Sequence, residues 1–249
     1  MERVKRKAFQ GVFNIIRFNW HFYWLSAVLL ATGLFFRHLV PVQVLLWALI
    51  ATTVLSLGVS WYIYDASRLY ELQWLDGLHV RRNAQIVNIN AGFDETSHLL
   101  SQKYPDALLR VFDFYNPAKH TEVSIERARK VYPAYPGTEA ISTSVVPLPA
   151  ASADVIFLFL AAHEIRDGQE RSIFFQQLRD SLRENGRMVV LEHLRDVSNF
   201  IAYNIGFLHF FSGATWRQAF ASAGLSIEKE IKITPFLSAF ILYENGTAS

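Results

Sequence analysis

The sequence predicts an α/β domain built on a largely parallel sheet, carried behind a hairpin of two apolar helices. Three features predict it. Two apolar stretches without a charged residue fall in the first 65 residues. After residue 65, short apolar runs alternate with helical stretches. The last two strand-like runs have no helix between them.

The hairpin comes first. Residues 19–36 (NWHFYWLSAVLLATGLFF) and 41–63 (PVQVLLWALIATTVLSLGVSWYI) contain no Asp, Glu, Lys or Arg. A bilayer core of about 30 Å needs about 20 apolar residues in a helix, and both stretches approach that length. The four residues between them, Arg37 to Val40, leave room only for a tight turn, and Pro41 suits the first turn of a helix. Trp20, Tyr23, Trp24, Trp61, Tyr62 and Tyr64 gather towards one end, as an interfacial aromatic belt does. The first stretch is too long for a cleaved signal, and no small-residue cleavage site precedes the second. Arg3, Lys5, Arg6, Lys7 and Arg17 crowd the start, against one Arg at the tip. The expected topology is two-pass with both ends cytoplasmic, as in a bacterial inner membrane. Residues 3–17 are expected to lie along the anionic membrane surface.

The composition agrees. Half of the 249 residues (51%) are hydrophobic, more than a soluble domain of this size needs. The net charge of +2 gives no sign of nucleic-acid binding. With no cysteine, disulfides, thiolate metal sites and cysteine nucleophiles are excluded. The histidines are scattered and show no metal-ligand spacing, so no metal is expected.

Residues 66–249 form the soluble domain. An amphipathic helix is expected over 66–79. Strands are expected at 85–90, 108–113, 139–143, 154–160 and 187–192, with helices at 94–104, 118–130, 169–184 and 214–223. Apolar strands separated by helices imply a parallel sheet covered on both faces. Strands at 225–232 and 237–244 imply an antiparallel edge. Ligands of such sheets sit beyond the carboxyl ends of the strands, so the residues there are the candidates. After the first strand come Asn88, Asn90, Ala91 and Gly92, leading into a helix. The second strand ends in Asp113 and Phe114, where an acidic group can accept hydrogen bonds from ribose hydroxyls or simply cap a turn. The third leads to Ser144 and Val145, the fourth to Leu160, Ala161, His163 and Glu164, and the fifth to Glu192 and His193.

Residues 145–165 (VVPLPAASADVIFLFLAAHEI) and 178–193 (LRDSLRENGRMVVLEH) resemble the fourth- and fifth-strand segments of class I S-adenosylmethionine-dependent methyltransferases. The likeness covers roughly residues 80–244 and is greatest to the small-molecule branch that includes quinone-biosynthesis enzymes. It implies a Rossmann-like, seven-stranded methyltransferase sheet with an antiparallel final strand, and S-adenosyl-L-methionine as cofactor. On that resemblance Asn88, Asn90, Ala91 and Gly92 lie by the methionine part of the cofactor and Asp113 holds the ribose. Phe114 lies beside the adenine, Ser144 and Val145 face its edge, and Leu160 and Ala161 lie by the methyl donor. The family's glycine-rich stretch departs here: it reads Asn88-Ile89-Asn90-Ala91-Gly92-Phe93-Asp94, with one glycine in three positions. A nicotinamide dehydrogenase would show G-x-G-x-x-G, which is absent.

Methyl transfer needs alignment of acceptor and donor, and at times a base. His163, His193 and His209 are the candidate bases, each equally well a histidine bonded to backbone. Residues 198–212 are aromatic and apolar, and read either as a core helix or as a lid over an apolar substrate. The expected partners are the lipid bilayer and a hydrophobic small molecule: a quinone-like phenol, an aromatic lipid or an isoprenoid. A catalytically silent protein that keeps the fold to bind a lipid or a protein is the rival expectation.

Overall fold

The computed structural model describes residues 6–120 and 122–246; Arg3 and Lys5 of the expected basic segment lie outside them. Seven strands form one sheet: β1 (Gln85–Asn90), β2 (Leu108–Asp113), β3 (Glu139–Ala140), β4 (Ala153–Phe159), β5 (Leu182–His193), β6 (Leu225–Thr234) and β7 (Leu237–Glu244). Their order is β3-β2-β1-β4-β5-β7-β6. Strands β1 to β5 pair in parallel, and β7 runs antiparallel to both β5 and β6. The order reverses beside β1, so the carboxyl ends of β1 and β4 open a crevice there.

Two cores flank the sheet. One packs Phe112, Phe174, Phe175, Trp216 and Phe220 against its face, and the other packs Leu69, Leu72, Leu75, Leu100 and Phe157. At the amino ends of the strands, Asp154 Oδ2 accepts from the Gln85 amide and from Arg183 Nη1, both at 2.7 Å. The aspartate of the fourth-strand motif is thus a tie between strands. The fifth strand begins at 182, earlier than expected: Leu182 pairs with Ala153, the register then shifts, and pairing resumes at Arg187, with Asn185 left-handed (φ 63°) in the irregular stretch between. Gly186 follows where an added Cβ would stand 2.8 Å from the Arg183 carbonyl oxygen.

The other helices of the domain are α4 (Ser97–Lys103), α5 (Val123–Val131), α6 (Gly168–Ser181), α7 (Val197–Tyr203) and α8 (Gly213–Ser222). They start or stop a few residues from the expected bounds. Helix α6 begins under an Asp167 side-chain cap on the Glu170 amide, and α8 under Ser212 on the Thr215 amide. The third strand shrinks to two residues, followed by a turn bridged between Ser142 and Val145.

The helix expected over 66–79 does not form. Arg68 (φ 61°) and Leu72 (φ 54°) are left-handed and divide the segment into two single 3₁₀ turns, Leu69–Glu71 and Gln73–Leu75. Leu69, Leu72 and Leu75 are all buried. Three-residue spacing puts them on one face of a 3₁₀ path, where the turns nearly eclipse.

The amino-terminal region holds three helices: α1 (Gln10–Phe18), α2 (Trp20–Phe35) and α3 (Val40–Trp61). At 1.5 Å per residue α3 is about 33 Å long and α2 about 24 Å. Among the described residues, only the helical stretch from Val40 is long and apolar enough to cross a membrane by length and composition. The expected pair of full-length spans is corrected on this point: α2 is sixteen residues, Trp20–Phe35, short of a full span. The two helices still meet near the tip, where Gly33 faces Leu46 so closely that a Cβ would stand 2.5 Å from its Cδ2. Ser26, Thr52 and Thr53 return their hydroxyls to carbonyls one turn back, which satisfies them in apolar surroundings.

Helix α1 does not lie free on a surface. Its Asn14 accepts from the Tyr132 hydroxyl at 3.0 Å, and Phe18 packs edge-on against Phe93 and Tyr132. Asp65 sits in the π turn that follows α3, and its carboxylate accepts from the first amides of α1, Gly11 (2.8 Å) and Val12 (2.9 Å). Gly11 lets the helix come this close: a Cβ there would lie 2.3 Å from Tyr64 Cβ. Gly11→Ala should therefore cost about 1–3 kcal/mol, the scale of overpacking, read by chemical unfolding of the detergent-solubilised chain. An unchanged midpoint would mean that α1 is not seated on this turn.

Candidate active site

A cavity of about 720 Å³ opens at the carboxyl ends of β1, β4 and β5. Asn90, Ala91, Leu160, His163 and His193 line its sheet end. Phe22, Ser26, Thr52, Thr53 and Ser56 of α2 and α3 line the other. Between them stand Phe18, Tyr64, Tyr203 and Phe210. The cavity therefore runs from the sheet into the groove between the two apolar helices.

The loop after β1 is stiff. Asn90 Oδ1 accepts from the Gly92 amide, and its Nδ2 donates to the Phe112 carbonyl. Asp94 accepts from the Thr96 and Ser97 amides. Asn88 donates to Ser97 Oγ at 2.8 Å and to Thr96 Oγ1 at 3.0 Å. Asn88 Oδ1 and Asp94 Oδ2 remain buried acceptors without a partner. Glycine is required at 92: its φ is 101°, and a Cβ would stand 2.9 Å from Ile125 Cγ2 and 3.0 Å from Tyr115 Cβ.

At the end of β2, Asp113 accepts from the Tyr115 amide and is paired with Arg129 of α5, which also donates to the Gly92 carbonyl. Arg129 stacks on the Tyr115 ring. Phe114 is 2% exposed, between Phe174 and His120 in the core. The expectation that it lies beside a ligand is corrected: Tyr115, one residue on, is the aromatic group over the loop. Ser144 and Val145 lie exposed on the turn after β3 and do not line the cavity. Asn88, Gly92 and Asp113 stand behind its wall, whereas Asn90, Ala91 and Leu160 face it. Ala161 is buried beside Leu160, itself left-handed at φ 52°. For a branched side chain that conformation costs about 1–3 kcal/mol and persists where surrounding structure fixes it.

The three candidate histidines have different fates. His193 is buried and fully engaged: its Nε2 meets the Tyr64 hydroxyl at 2.8 Å, and Nδ1 meets the Phe236 carbonyl at 3.0 Å and Asn199 Oδ1 at 3.2 Å. Burial pushes it down to about 4, so it stays neutral. It holds β5, α7 and the turn after α3 together and has no free ring nitrogen. His163, on the 3₁₀ turn Ala162–Glu164, gives its Nδ1 to Glu192 Oε2 at 2.6 Å, and its amide donates to the other oxygen of Glu192. Burial would depress His163, but the charges of Glu192 and Glu164 outweigh it and lift it to about 10. A ring so held is protonated at neutral pH in this state and donates rather than accepts. His209 ends the 3₁₀ turn Asn204–His209 and stands edge-on to His163 with centroids 5.1 Å apart. Its Nε2 is buried and lacks a hydrogen-bond partner.

Glu164 joins the two rings. Its Oε1 is 3.3 Å from His163 Nε2 and 3.5 Å from His209 Nε2. Burial opposes its charge, but the adjoining His163 and His209 outweigh burial and keep its carboxyl well below the usual range. The donor atoms of His163, Glu164 and His209 fall within 4.8 Å of one another and form a set able to hold a metal. Sequence spacing gave no metal signal because His209 arrives from a segment far along the chain. Glu192, at the end of β5, accepts from the His163 amide and also orients the His163 ring.

A sheet of this order with a carboxyl-end cavity defines the class I methyltransferase fold. No family model matches the sequence, and no curated protein matches it either. Solved structures do match. An S-adenosylmethionine-dependent methyltransferase from Aquifex aeolicus aligns at 14% identity and TM-score 0.51, over 72% of this chain and 93% of its own. One from Methanosarcina mazei aligns at 12% identity and TM-score 0.50, over 69% and 97%. The pyocyanin biosynthetic protein PhzM aligns at 15% identity and TM-score 0.51, over 72% and 55%. At these identities the likeness is one of fold.

The neutral His193 gives a pH test. The unfolded chain binds a proton at this residue below about pH 6.5, whereas the folded chain does so only below about 4. Its contribution is full above the unfolded value and is lost as pH falls through that window, with a magnitude on the order of 3 kcal/mol at most. His193→Gln should flatten the loss of stability between pH 6.5 and 4 relative to the parent chain, followed by denaturant unfolding at each pH. Parallel slopes would show that His193 titrates alike in both states.

Proposed function

We propose that the chain is a membrane-anchored, S-adenosylmethionine-dependent methyltransferase whose acceptor is a hydrophobic small molecule: a quinone-like phenol, an aromatic lipid or an isoprenoid. The course of the cavity carries this reading. It begins at the strand ends that bind the cofactor in this fold and ends between two helices whose outer faces are apolar. Phe35 (82% exposed), Trp47 (71%) and Trp24 (65%) point outward from the hairpin. Beside α3, the α7 segment turns Val197 (73%) and Ile205 (79%) outward as well. A soluble monomer rarely leaves so large an apolar surface in water. Lys7 and Arg17 at the base against Arg37 at the tip favour a cytoplasmic domain. Helix α2, short for a full span, is accommodated by local thinning of the bilayer.

The residues present fit the cofactor. S-adenosylmethionine, when bound, supplies a methyl group already activated on a sulfonium. Asp113 offers a carboxylate to a ribose diol. Asn88 Oδ1 and Asp94 Oδ2 are buried acceptors in want of a donor, which an ammonium group provides. Asp94 thus returns near Asn88 the carboxylate that the glycine-rich stretch lacks, the two side chains being 3.5 Å apart. Arg129, with its side chain 39% exposed, must leave Asp113 for the diol to bind. On the acceptor side, His163, Glu164 and His209 line the cavity where an acceptor would lie. Alignment within the cavity, which excludes bulk water, supplies the rest.

The rival reading is a silent relative that keeps the fold to bind a lipid or a protein. The Arg129–Asp113 pair and the loss of two glycines at Asn90 and Asp94 favour it. Calorimetry on the full chain in detergent separates the two. The methyltransferase reading expects binding of S-adenosylmethionine and its demethylated product, weakened by about 1–3 kcal/mol in Asp113→Ala, the scale of a lost buried hydrogen bond. It also expects tighter binding in Arg129→Gln, which frees Asp113. No binding of either ligand at millimolar concentration would overturn it.

A further inference from the structure

We propose that His163, Glu164 and His209 form a binding site for a divalent first-row transition ion, zinc or iron(II) in class, with an open coordination position facing the cavity. The spacing favours an ion over a hydrogen-bonded cluster. Glu164 Oε1 lies 3.3 Å from His163 Nε2 and 3.5 Å from His209 Nε2. Good N–H···O bonds span about 2.7–3.2 Å. Two donors bound at about 2.1 Å in a tetrahedral arrangement stand about 3.4 Å apart. The two Glu164 edges therefore match those of a coordination shell, and all three donor atoms fall within 4.8 Å of one another.

The surroundings fit as well. A metal-bound histidine commonly gives its other ring nitrogen to a carboxylate, which fixes its tautomer and orientation. His163 has such a partner, its Nδ1 meeting Glu192 Oε2 at 2.6 Å, and Glu122 Oε1 stands near the other ring, 3.4 Å from His209 Nδ1. His209 Nε2, buried and unpartnered, has no other occupation. Glu164 and Glu192 are 5% and 0% exposed, so two carboxylates are buried here in want of positive charge. The chain holds the ligands in place from outside: Arg166 Nη1 donates to the His209 carbonyl at 2.6 Å and to the His163 carbonyl at 3.2 Å. Two imidazoles and a carboxylate suit zinc or iron(II) rather than magnesium or calcium.

All three ligands line the cavity, so a molecule lying in it reaches the fourth position. Three protein ligands and one open position characterise catalytic rather than structural sites. Joined to the methyl-transfer reading, on which this role rests, the ion would polarise a hydroxyl acceptor and ease loss of its proton. The ion site itself does not depend on that reading.

The test uses the untagged full-length chain in detergent, stripped with chelator and titrated with Co²⁺ as optical probe, then with Zn²⁺ in competition. Stoichiometric binding with visible absorption of low-coordinate cobalt is expected. His209→Gln, at a partly exposed turn, and Glu164→Gln should each weaken it by about 100-fold or more, and Glu192→Gln by about 10–100-fold. His98→Gln, remote from the set, should leave it unchanged. Circular dichroism checks the fold, and the His209 variant carries the test if the buried Glu164 variant fails to fold. Absence of stoichiometric binding, or equal affinity in the parent and His209→Gln, would overturn the proposal. Cofactor calorimetry on the same sample is a separate measurement, so failure of the ion site and failure of the methyltransferase reading are told apart.

Discussion

The Glu95 carboxylate, on the loop that follows β1, receives Arg6 Nη1 at 2.6 Å and the Tyr70 hydroxyl at 2.9 Å, with Asn14 and Gln10 at 3.4 and 3.5 Å. Its side chain is 12% exposed and that of Arg6 17%, and the guanidinium lies 3.6 Å from the Tyr70 ring centre. Donors from the amino-terminal segment, from α1 and from the turn after α3 thus converge on one acceptor beside the strand ends. Removing one partner of such a sheltered pair costs about 3–5 kcal/mol because the other charge is left without compensation. Together with Asp65 at the start of α1, this contact fastens the apolar hairpin to the carboxyl edge of the sheet. Without it the hairpin would be a tether, and the cavity would lose a wall.

Fixing the hairpin there creates a gradient of chemistry along the cavity. Aromatic and small hydroxyl side chains line the hairpin end, where Ser26, Thr52 and Thr53 are satisfied within their own helices. At the sheet end, buried carboxylates and imidazoles concentrate charge in a medium that screens it poorly. An apolar body with one polar, ionisable end matches both ends at once. The same gradient accounts for the division among the histidines. His193, bonded to Tyr64, Asn199 and the Phe236 carbonyl, has no carboxylate partner and is neutral and structural, whereas His163 and His209 answer to Glu164, Glu192 and Glu122.

Much of this was legible in the sequence, since apolar strand runs and intervening helices are strong periodic signals. The parallel centre and the antiparallel β6–β7 edge follow from them, and of the candidates Asn90, Ala91, Leu160, His163, His193 and His209 line the cavity whereas Ser144 and Val145 do not. Where the reading failed, left-handed residues with ordinary side chains were responsible. Arg68 and Leu72 broke a helix that composition favoured, and Asn185 stands in the irregular stretch where β5 begins early. Phe114 and Tyr115 exchanged places because strand alternation decides which of two adjacent rings faces the core. The His163–Glu164–His209 set was invisible for a different reason: its members meet only because α7 and the following turn fold back over the end of β4.

The central claim is that the cavity is a path from the bilayer to the strand ends. A photoactivatable aliphatic diazirine lipid, incorporated with the full chain in nanodiscs and mapped by mass spectrometry after irradiation, tests it directly. The account predicts label on inward residues of the cavity, Phe22, Ser56 and Tyr203, besides the outward Trp47 and Phe35, and loss of the inward label when an apolar phenol is added. Label confined to the outward faces, with none on the cavity wall, would contradict it.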